Sequence, residues 1–307
     1  MKKFLLFVLG ISFCIFLVFI SFEFFLRSIP NDFTTKIHYL NKNKENIEVL
    51  TLGSSHTFVG VDSKYLELPS HNLAYSSQTL DLDELIFDRY KNQLPNLKTV
   101  IIPVSYFSYV LALEDGTSVH KIKNYNIYYQ LHSHTFLLNN QFEILHQSIN
   151  DNLSDIKLFK TDSDFKITVD STGFINKRYI KGDLDWEESA RHAVKNHSKD
   201  MNDALNKTRV IQNTKSLENI VAWCYNNRIK VILVSSPTTN SYLEKLDKKQ
   251  FDHWRITTTY ITEKYSNTIW LNYLQNNSYF TDEDFQNADH LNANGAIKMT
   301  KLINQYL

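Results

Sequence analysis

The sequence alternates short apolar runs of strand length with longer segments that have helical spacing. The apolar runs are residues 47–52, 100–104, 231–234 and 268–271. The helical segments are residues 80–94, 217–225, a polar stretch that ends near residue 265, and a closing segment over residues 296–307. Strands that alternate with helices in this way form a parallel sheet with helices on both faces. The sequence therefore predicts an α/β fold, a three-layer α/β/α sandwich.

An apolar segment near the N-terminus has the length of a membrane-spanning helix. Residues 4–22 are uncharged and mostly apolar, and as a helix they extend about 28 Å, close to the ~30 Å of a hydrocarbon core. Lys2 and Lys3 precede the segment and only Arg27 soon follows it, which favours a cytoplasmic N-terminus. The residues after the segment are too bulky for a signal-peptide cleavage site. We expect residues 1–28 to be a signal-anchor helix and residues 29–307 to lie on the periplasmic or extracellular side.

The charge balance and the cysteines exclude two classes of protein. Lys and Arg total 33, as do Asp and Glu, so the formal net charge is zero and the basic surface that nucleic-acid binding requires is lacking. The two cysteines are Cys14, in the apolar segment, and Cys224, in a predicted helix, so they form no disulfide framework. We predict one catalytic domain, with no nucleic acid among its partners.

Two polar turns carry a candidate nucleophile and its base. Ser55 follows the first apolar run in the sequence Leu-Gly-Ser-Ser-His, and His290 lies in a loop just before the closing helix. A serine hydroxyl becomes nucleophilic when a base accepts its proton, and histidine suits this role because its pKa lies near ~6.5. The alternative is that Ser55 caps a turn or helix and His290 is a surface histidine. We expect the two side chains to meet and form a Ser–His site.

These two turns resemble the first and last sequence blocks of the SGNH (GDSL-like) hydrolase superfamily. The resemblance extends to its envelope-facing branch, which includes alginate O-acetyltransferases and the teichoic-acid D-alanylation protein, and it covers roughly residues 46–307. Ser54 takes the aspartate position of the family's Gly-Asp-Ser turn, Ser55 that of the nucleophile, and His290 that of the histidine in the final Asp-x-x-His loop. The resemblance implies a flavodoxin-like sandwich and acyl-transfer chemistry.

The acid of the last block departs from the family pattern. The position three residues before His290 is Asn287 instead of aspartate. Either Asp289 or Asp284 therefore orients the imidazole, with Asp289 favoured, or the site works as a Ser–His dyad.

The two middle blocks match the family less well. Residues 72–78 resemble the second block, in which the backbone N–H of Ser77 would help to bind the oxyanion. Asn72 either holds the turn of that block or touches substrate, and His56, beside the nucleophile, either binds substrate or caps the following turn. The third block, residues 101–106, lacks the family's asparagine, and loss of one oxyanion donor typically costs roughly 10²–10³ in rate.

Residues 107–202 break the alternating pattern, and we interpret them as an insertion over the active site. Its aromatic side chains either stack on sugar rings or pack a small core of their own; they include Tyr125, Tyr128, Tyr129, Phe174, Tyr179 and Trp186. Its histidines have no recognisable metal-ligand spacing; they are His120, His132, His134 and His146. We predict neither a metal nor a cofactor.

The predicted function is acyl transfer outside the cytoplasm. Ser55 would attack an ester, with His290 as general base and then acid. The acceptor would be a hydroxyl of an envelope or exported polysaccharide, giving O-acetylation, or water, giving esterase activity. A membrane protein would deliver the acyl donor. The alternative is a non-catalytic carbohydrate-binding or assembly component of a polysaccharide export system, because Asn287 and the third block depart from the family pattern.

Overall fold

The computed structural model describes residues 1–131, 137–175, 185–274 and 277–307. The chain forms two compact units, one made of residues 1–35 and 119–167 and the other of residues 36–118 and 168–307. The strands are β1 Val49–Thr51, β2 Ser70–Asn72, β3 Thr99–Pro103, β4 Lys230–Ser235 and β5 Thr268–Asn272. The helices are α1 Lys2–Ser28, α2 Asp32–Asn43, α3 Ser55–Phe58, α4 Leu80–Tyr90, α5 Ile122–Ile127, α6 Glu143–His146, α7 Ile149–Thr161, α8 Trp186–His197, α9 Ala204–Asn226, α10 Asn240–Leu243, α11 Lys248–Lys264 and α12 Ala293–Asn304.

The larger unit is built on one parallel sheet with the strand order β2-β1-β3-β4-β5. Helices flank this sheet, so the predicted α/β fold is confirmed. The strand order is that of flavodoxin-like sheets, in which ligands bind beyond the carboxyl ends of the strands, at the switch point between β1 and β3. Strand β2 was not predicted, because its three residues are Ser-His-Asn and carry no apolar signal although all three are buried.

The closing helix packs its apolar side against the sheet. Met299 and Ile303 of α12 belong to one core cluster with Val49, Ile101 and Ile232 of the sheet. Ile101 of β3 pairs with Thr51 of β1 and with Ile232 of β4. The last helix thereby fixes the loop that precedes it, residues 285–292, against the carboxyl edge of the sheet.

The smaller unit contains α1, which is a candidate membrane span. Helix α1 is apolar and long enough to cross a bilayer, and none of its most apolar stretch is buried in the protein. The last turns of α1, in contrast, form hydrogen bonds with residues 141–144 of the same unit. The buried carboxylate of Glu23 accepts hydrogen bonds from the backbone N–H groups of Glu143 (3.0 Å) and Ile144 (2.9 Å), and Arg27 donates to the carbonyl of Gln141 (2.8 Å).

The predicted insertion is shared between the two units. Residues 119–167 belong with α1 in the smaller unit, while residues 107–118 and 168–202 belong to the larger one. Its aromatic side chains mostly pack: Tyr125 and Tyr129 are buried against Phe33, and Phe174 is buried in the larger unit. Tyr128 donates to Glu143 (2.7 Å). Tyr179, His132 and His134 lie outside the described residues.

Candidate active site

The loop after β1 presents Ser55 at the start of a short helix. Gly53 has φ +109°, and a Cβ there would lie 2.0 Å from the Pro103 ring, so only glycine fits this turn. Ser54 caps α3, accepting a hydrogen bond from the backbone N–H of His56 (3.4 Å). Ser55 is the first residue of α3, where a backbone N–H has no partner within the helix. The turn thus offers the Ser55 hydroxyl and backbone N–H at the switch point of the sheet.

The loop before α12 holds His290 by its own hydrogen bonds. Asn292 caps α12, accepting from the backbone N–H groups of Asn294 (2.9 Å) and Gly295 (3.1 Å). The backbone N–H of Gln286 donates to the carbonyl of His290 (3.0 Å). Nε2 of His290 then lies 2.7 Å from Oγ of Ser55. The structure brings the two predicted residues into the hydrogen bond that a nucleophile and its base require.

Two oxygens contact the other ring nitrogen of His290. Oδ1 of Asn287 lies 3.1 Å from Nδ1 and also accepts from the backbone N–H groups of His290 (2.8 Å) and Asp289 (3.2 Å). Oδ1 of Asp289 lies 3.2 Å from the same nitrogen. Because both oxygens only accept, Nδ1 carries the hydrogen and Nε2 is free to take the serine proton. Asn287 therefore contacts the ring nitrogen at the position where the sequence resemblance expects an acid, and Asp289 adds the charge that an amide lacks.

Asp284, the other acid considered from the sequence, has different partners. Its carboxylate accepts from the backbone N–H of Thr281 (2.9 Å), within the capping box of a 3-10 turn, and pairs with Lys298 (2.5 Å). Among the contacts of the described residues, none joins Asp284 to His290. Its proposed role as the orienting acid is therefore corrected: Asp284 stabilises the loop that carries His290.

A second histidine supports Asp289 from its far side. Nε2 of His56 lies 3.6 Å from Oδ2 of Asp289, and Nδ1 of His56 lies 2.7 Å from Oγ of Ser105. Nδ1 of His197 lies 3.8 Å from the same carboxylate oxygen. His197 is the last residue of α8, and no sequence pattern indicated a role for it. Ser105 lies two residues after the end of β3, at the carboxyl edge of the sheet, and this position is the signal by which it could have been identified from the sequence.

Burial and neighbouring charge decide which histidine is the base. Burial lowers the pKa of His56, and it lowers the pKa of His197 to about 3, so both are neutral. Burial alone would also lower the pKa of His290, but the Asp289 carboxylate outweighs it and raises that pKa above 6.5. Burial disfavours the Asp289 carboxylate, yet the charge of His290 and its contact with the carboxylate, together with the nearby imidazoles of His56 and His197, hold the pKa of Asp289 well below the usual range. His290 is the basic member of the cluster.

Two residues predicted to bind the oxyanion or substrate are buried structural groups. Asn72 is fully buried, its amide donates to the carbonyls of Thr57 (3.1 Å) and Val61 (3.0 Å), and its oxygen accepts from the backbone N–H of Ala74 (2.9 Å). His56 contacts Asp289 and Ser105 as described. Neither residue lines the cleft over Ser55. Asn72 therefore stabilises the turn of residues 72–78, and His56 positions the Asp289 carboxylate.

A cleft of about 680 Å³ opens over the Ser–His pair. Ser54, Ser55, Ser77 and His290 line it, so the predicted oxyanion residue Ser77 shares the cleft with the nucleophile. Ser77 has φ +67°, a left-handed conformation that is uncommon outside glycine and frequent at functional sites. The cleft also contains carbonyl, hydroxyl, amide and lysine groups together with leucines, and its wall includes Phe107, Leu111, Ser118, Lys195, Asn196 and Leu205.

The buried carboxylate of Asp83 connects the turn that carries Ser55 to the turn that carries Ser77. Oδ1 of Asp83, on α4, accepts from the side-chain amide of Gln78 (2.6 Å), and the carboxyl also forms a hydrogen bond with the Gly53 backbone. The carbonyl of Gly53 in turn accepts from the backbone N–H of Tyr75 (2.9 Å). Burial raises the pKa of Asp83 to about 7. Asp83 therefore fixes the nucleophile turn relative to the turn that carries Ser77.

The cluster of His56, Asp289 and His290 has the composition of a metal site. Donor atoms of His56, Asp289 and His290 lie within 4.8 Å of one another. However, both ring nitrogens of His290 are occupied, one by Ser55 and the other by Asn287 and Asp289. A metal bound here would displace the Ser–His hydrogen bond, so the contacts fit a hydrogen-bonded catalytic site better.

Comparisons with known proteins give structural similarity alone. The chain matches no protein-family model and no curated protein sequence. A provisionally assigned acylhydrolase from Bacteroides fragilis is 12% identical with a TM-score of 0.41, over 88% of this chain and 94% of that one. A Streptococcus pneumonia protein provisionally described as a platelet activating factor is 9% identical with a TM-score of 0.41, over 89% and 92%. Similarity this low says nothing about chemistry, so the function must be inferred from the geometry of the site.

Proposed function

We propose that this protein is a serine esterase or O-acyltransferase with Ser55 as nucleophile and His290 as base. The observation that carries the proposal is the 2.7 Å contact between Ser55 Oγ and His290 Nε2. Oxygens of Asn287 and Asp289 on the opposite nitrogen hold the imidazole in the tautomer that can accept the serine proton. This is the arrangement of an activated serine, with the base itself oriented by a third group.

The proposed reaction has two half-steps. Ser55 Oγ bonds to the ester carbonyl carbon while His290 Nε2 takes the hydroxyl proton, and the backbone N–H groups of Ser55 and Ser77 bind the oxyanion. The intermediate then expels the alcohol, which takes the proton from His290, and leaves an acyl group on Ser55. In the second half-step, His290 deprotonates an acceptor hydroxyl that attacks the acyl-enzyme and frees Ser55.

We further propose that the acceptor is a polysaccharide hydroxyl outside the cytoplasm. The sequence resemblance to the envelope-facing branch of the superfamily supports this choice, as does the candidate membrane helix. The contacts of Glu23 and Arg27 with residues 141–144 support a retained anchor, because cleavage after residue 22 or 28 would disrupt or remove them. The polar groups in the cleft wall suit a hydroxylated acceptor.

A serine-directed fluorophosphonate tests the nucleophile directly. We expect the full chain in detergent to be labelled, Ser55→Ala to be unlabelled, and the matched variant Ser54→Ala to keep labelling. Ser55→Ala should change the free energy of unfolding by about 1 kcal/mol or less, because only one half-buried hydroxyl is lost. Unlabelled wild-type protein would support the non-catalytic binding component instead.

Adding a polysaccharide acceptor distinguishes acyl transfer from hydrolysis. With an activated acetyl ester as donor, release of the alcohol should accelerate when a soluble polysaccharide is added, and acetate should appear on the polysaccharide. An unchanged rate with all acetate released as free acid would identify an esterase.

A further inference from the structure

The smaller unit exposes an apolar patch outside α1. The patch consists of leucine and isoleucine side chains that are 41–67% exposed: Leu137, Leu138, Leu145, Ile149 and Leu153. Ile149 and Leu153 lie four residues apart on α7 and therefore share one side of that helix. Leu138 and Leu145 lie on two short helical turns that contact each other, and exposed apolar side chains that lie together mark interaction sites.

The patch lies beside the end of the candidate membrane span. The ring of Phe142, between Leu138 and Leu145 in the sequence, contacts the ring of Phe19 with centroids 5.7 Å apart. Phe159 on α7 contacts Phe25 in the same way at 6.3 Å. Both contacts lie within the smaller unit, so the position of the patch along α1 is defined.

The position of Phe19 along α1 indicates how deep in the membrane its contact with Phe142 lies. It lies three residues before the end of the apolar segment, residues 4–22, which corresponds to about 4.5 Å along a helix. If that segment fills the hydrocarbon core, Phe142 lies at the boundary between acyl chains and headgroups. The exposed side chains near Phe142 in the sequence then lie at the membrane surface as well.

The charges near the patch suit the same environment. Lys157 and Lys160 are exposed on α7 one and two turns after Leu153, and Lys160 falls on the same side as Ile149 and Leu153 by helical spacing. Asp151 and Asp155 lie on the same helix, so α7 carries no net positive charge. Lys160 suits the interface because a lysine can rest its apolar stem on apolar surface and keep its ammonium among the headgroups.

We propose that the apolar patch rests in the interfacial layer of the bilayer that α1 crosses. The smaller unit would then be attached to the membrane twice, by a spanning helix and by a surface patch, and α1 could not rotate freely about its axis. The proposal rests on the membrane anchor of the proposed function and is independent of the acyl-transfer chemistry.

Fluorescence quenching in lipid nanodiscs tests the patch in the full chain. The environment-sensitive dye NBD is attached to Ile149→Cys and Leu153→Cys in a Cys14→Ser background, where the remaining Cys224 is buried. Ile211→Cys is the matched control, because Ile211 is 70% exposed on α9 of the larger unit. The nanodiscs contain phosphatidylcholine and phosphatidylglycerol, with or without bromine high on the acyl chains.

We expect the brominated lipid to quench the dye at 149 and 153 by roughly half, because an interfacial element lies about 5–10 Å into the bilayer. The dye at 211 sets the reference level, and quenching at 149 and 153 should exceed it. Equal, unquenched emission at 149, 153 and 211 would overturn the proposal. Wild-type protein labelled at the exposed Cys14, in nanodiscs with bromine near the ends of the acyl chains, tests the anchor separately. Quenching at Cys14 with none at 149 and 153 overturns the patch alone, and no quenching at Cys14 overturns the anchor too.

Discussion

Oδ1 of Asp289 lies 3.2 Å from Nδ1 of His290, although the two residues are adjacent in the chain. Neighbouring side chains in an extended segment point apart, so this contact requires the sharp turn that Asn287 stabilises by accepting the backbone N–H groups of both residues. The loop therefore uses a neutral amide to shape the turn and a carboxylate to supply the charge.

Asp289→Asn should reduce kcat by about 10³–10⁴, in line with the loss of a triad carboxylate elsewhere. The carboxylate raises the pKa of His290, and the base works when neutral, so the ascending limb of kcat/KM against pH should also move to lower pH. Asp284→Asn is the matched control and should keep nearly full kcat while losing about 1 kcal/mol of stability with its cap. Comparable activity losses in both variants would contradict the assignment of Asp289.

Asn287→Asp should place a second negative charge beside His290 Nδ1. The side chains are nearly isosteric and the two backbone N–H groups still find an acceptor, so the fold should be kept. The added charge favours the imidazolium, and the ascending limb of the pH–rate profile should move to higher pH. A large rise in kcat at its pH optimum would show instead that Asp289 does not replace the missing acid.

Ser105→Ala should lower kcat while leaving KM nearly unchanged. The Ser105 hydroxyl lies 2.7 Å from Nδ1 of the buried His56, and its loss leaves an unsatisfied buried acceptor at a cost of about 1–3 kcal/mol. His56 would then hold Asp289 less firmly, although neither touches substrate. Ser105→Thr keeps the hydroxyl and should restore kcat; failure of this variant to do so, with a normal fold by circular dichroism, would argue against the role.

Asp83 should make the protein less stable as the pH rises towards 8. Its pKa rises from 3.8 in the unfolded chain to about 7 when buried, so the folded state binds the extra proton and loses stability as the pH increases from about 4 through 7. At about 1.4 kcal/mol per pKa unit, the total is roughly 4 kcal/mol. Thermal unfolding at pH 5 and pH 8 should show about 3 kcal/mol of this loss in wild type and in the surface control Asp88→Asn, but a smaller loss in Asp83→Asn.

The membrane topology is open to a direct test. The full chain should sediment with membranes, and a C-terminal tag should be removed by protease added to spheroplasts, because Lys2 and Lys3 favour a cytoplasmic N-terminus. A soluble mature form that begins near residue 25 or later would rule out the anchor.

The sequence predicted those parts of the molecule that local pattern determines. Apolar runs and helical spacing predicted the parallel sheet, and the turn after the first run predicted where Ser55 lies. Strand β2 was not predicted because its residues are polar, and their burial comes from the neighbouring parts of the fold. The roles of His197 and Asp83 were not predicted for a related reason. Each side chain reaches the site from a helix, through contacts between distant parts of the chain. The sequence left Asp284 and Asp289 both open, with Asp289 favoured, and only the fold of the loop separates them.

The contact between Ser55 and His290 joins residues 235 positions apart. Contacts of such long range form late in folding, because the intervening chain must first be ordered. A polypeptide that emerges from its N-terminus onward therefore carries an inert serine until its final loop has emerged and docked on the sheet. The proposed chemistry would therefore begin only once the loop that carries His290 has folded against the sheet, so a partly folded chain would not acylate its own Ser55.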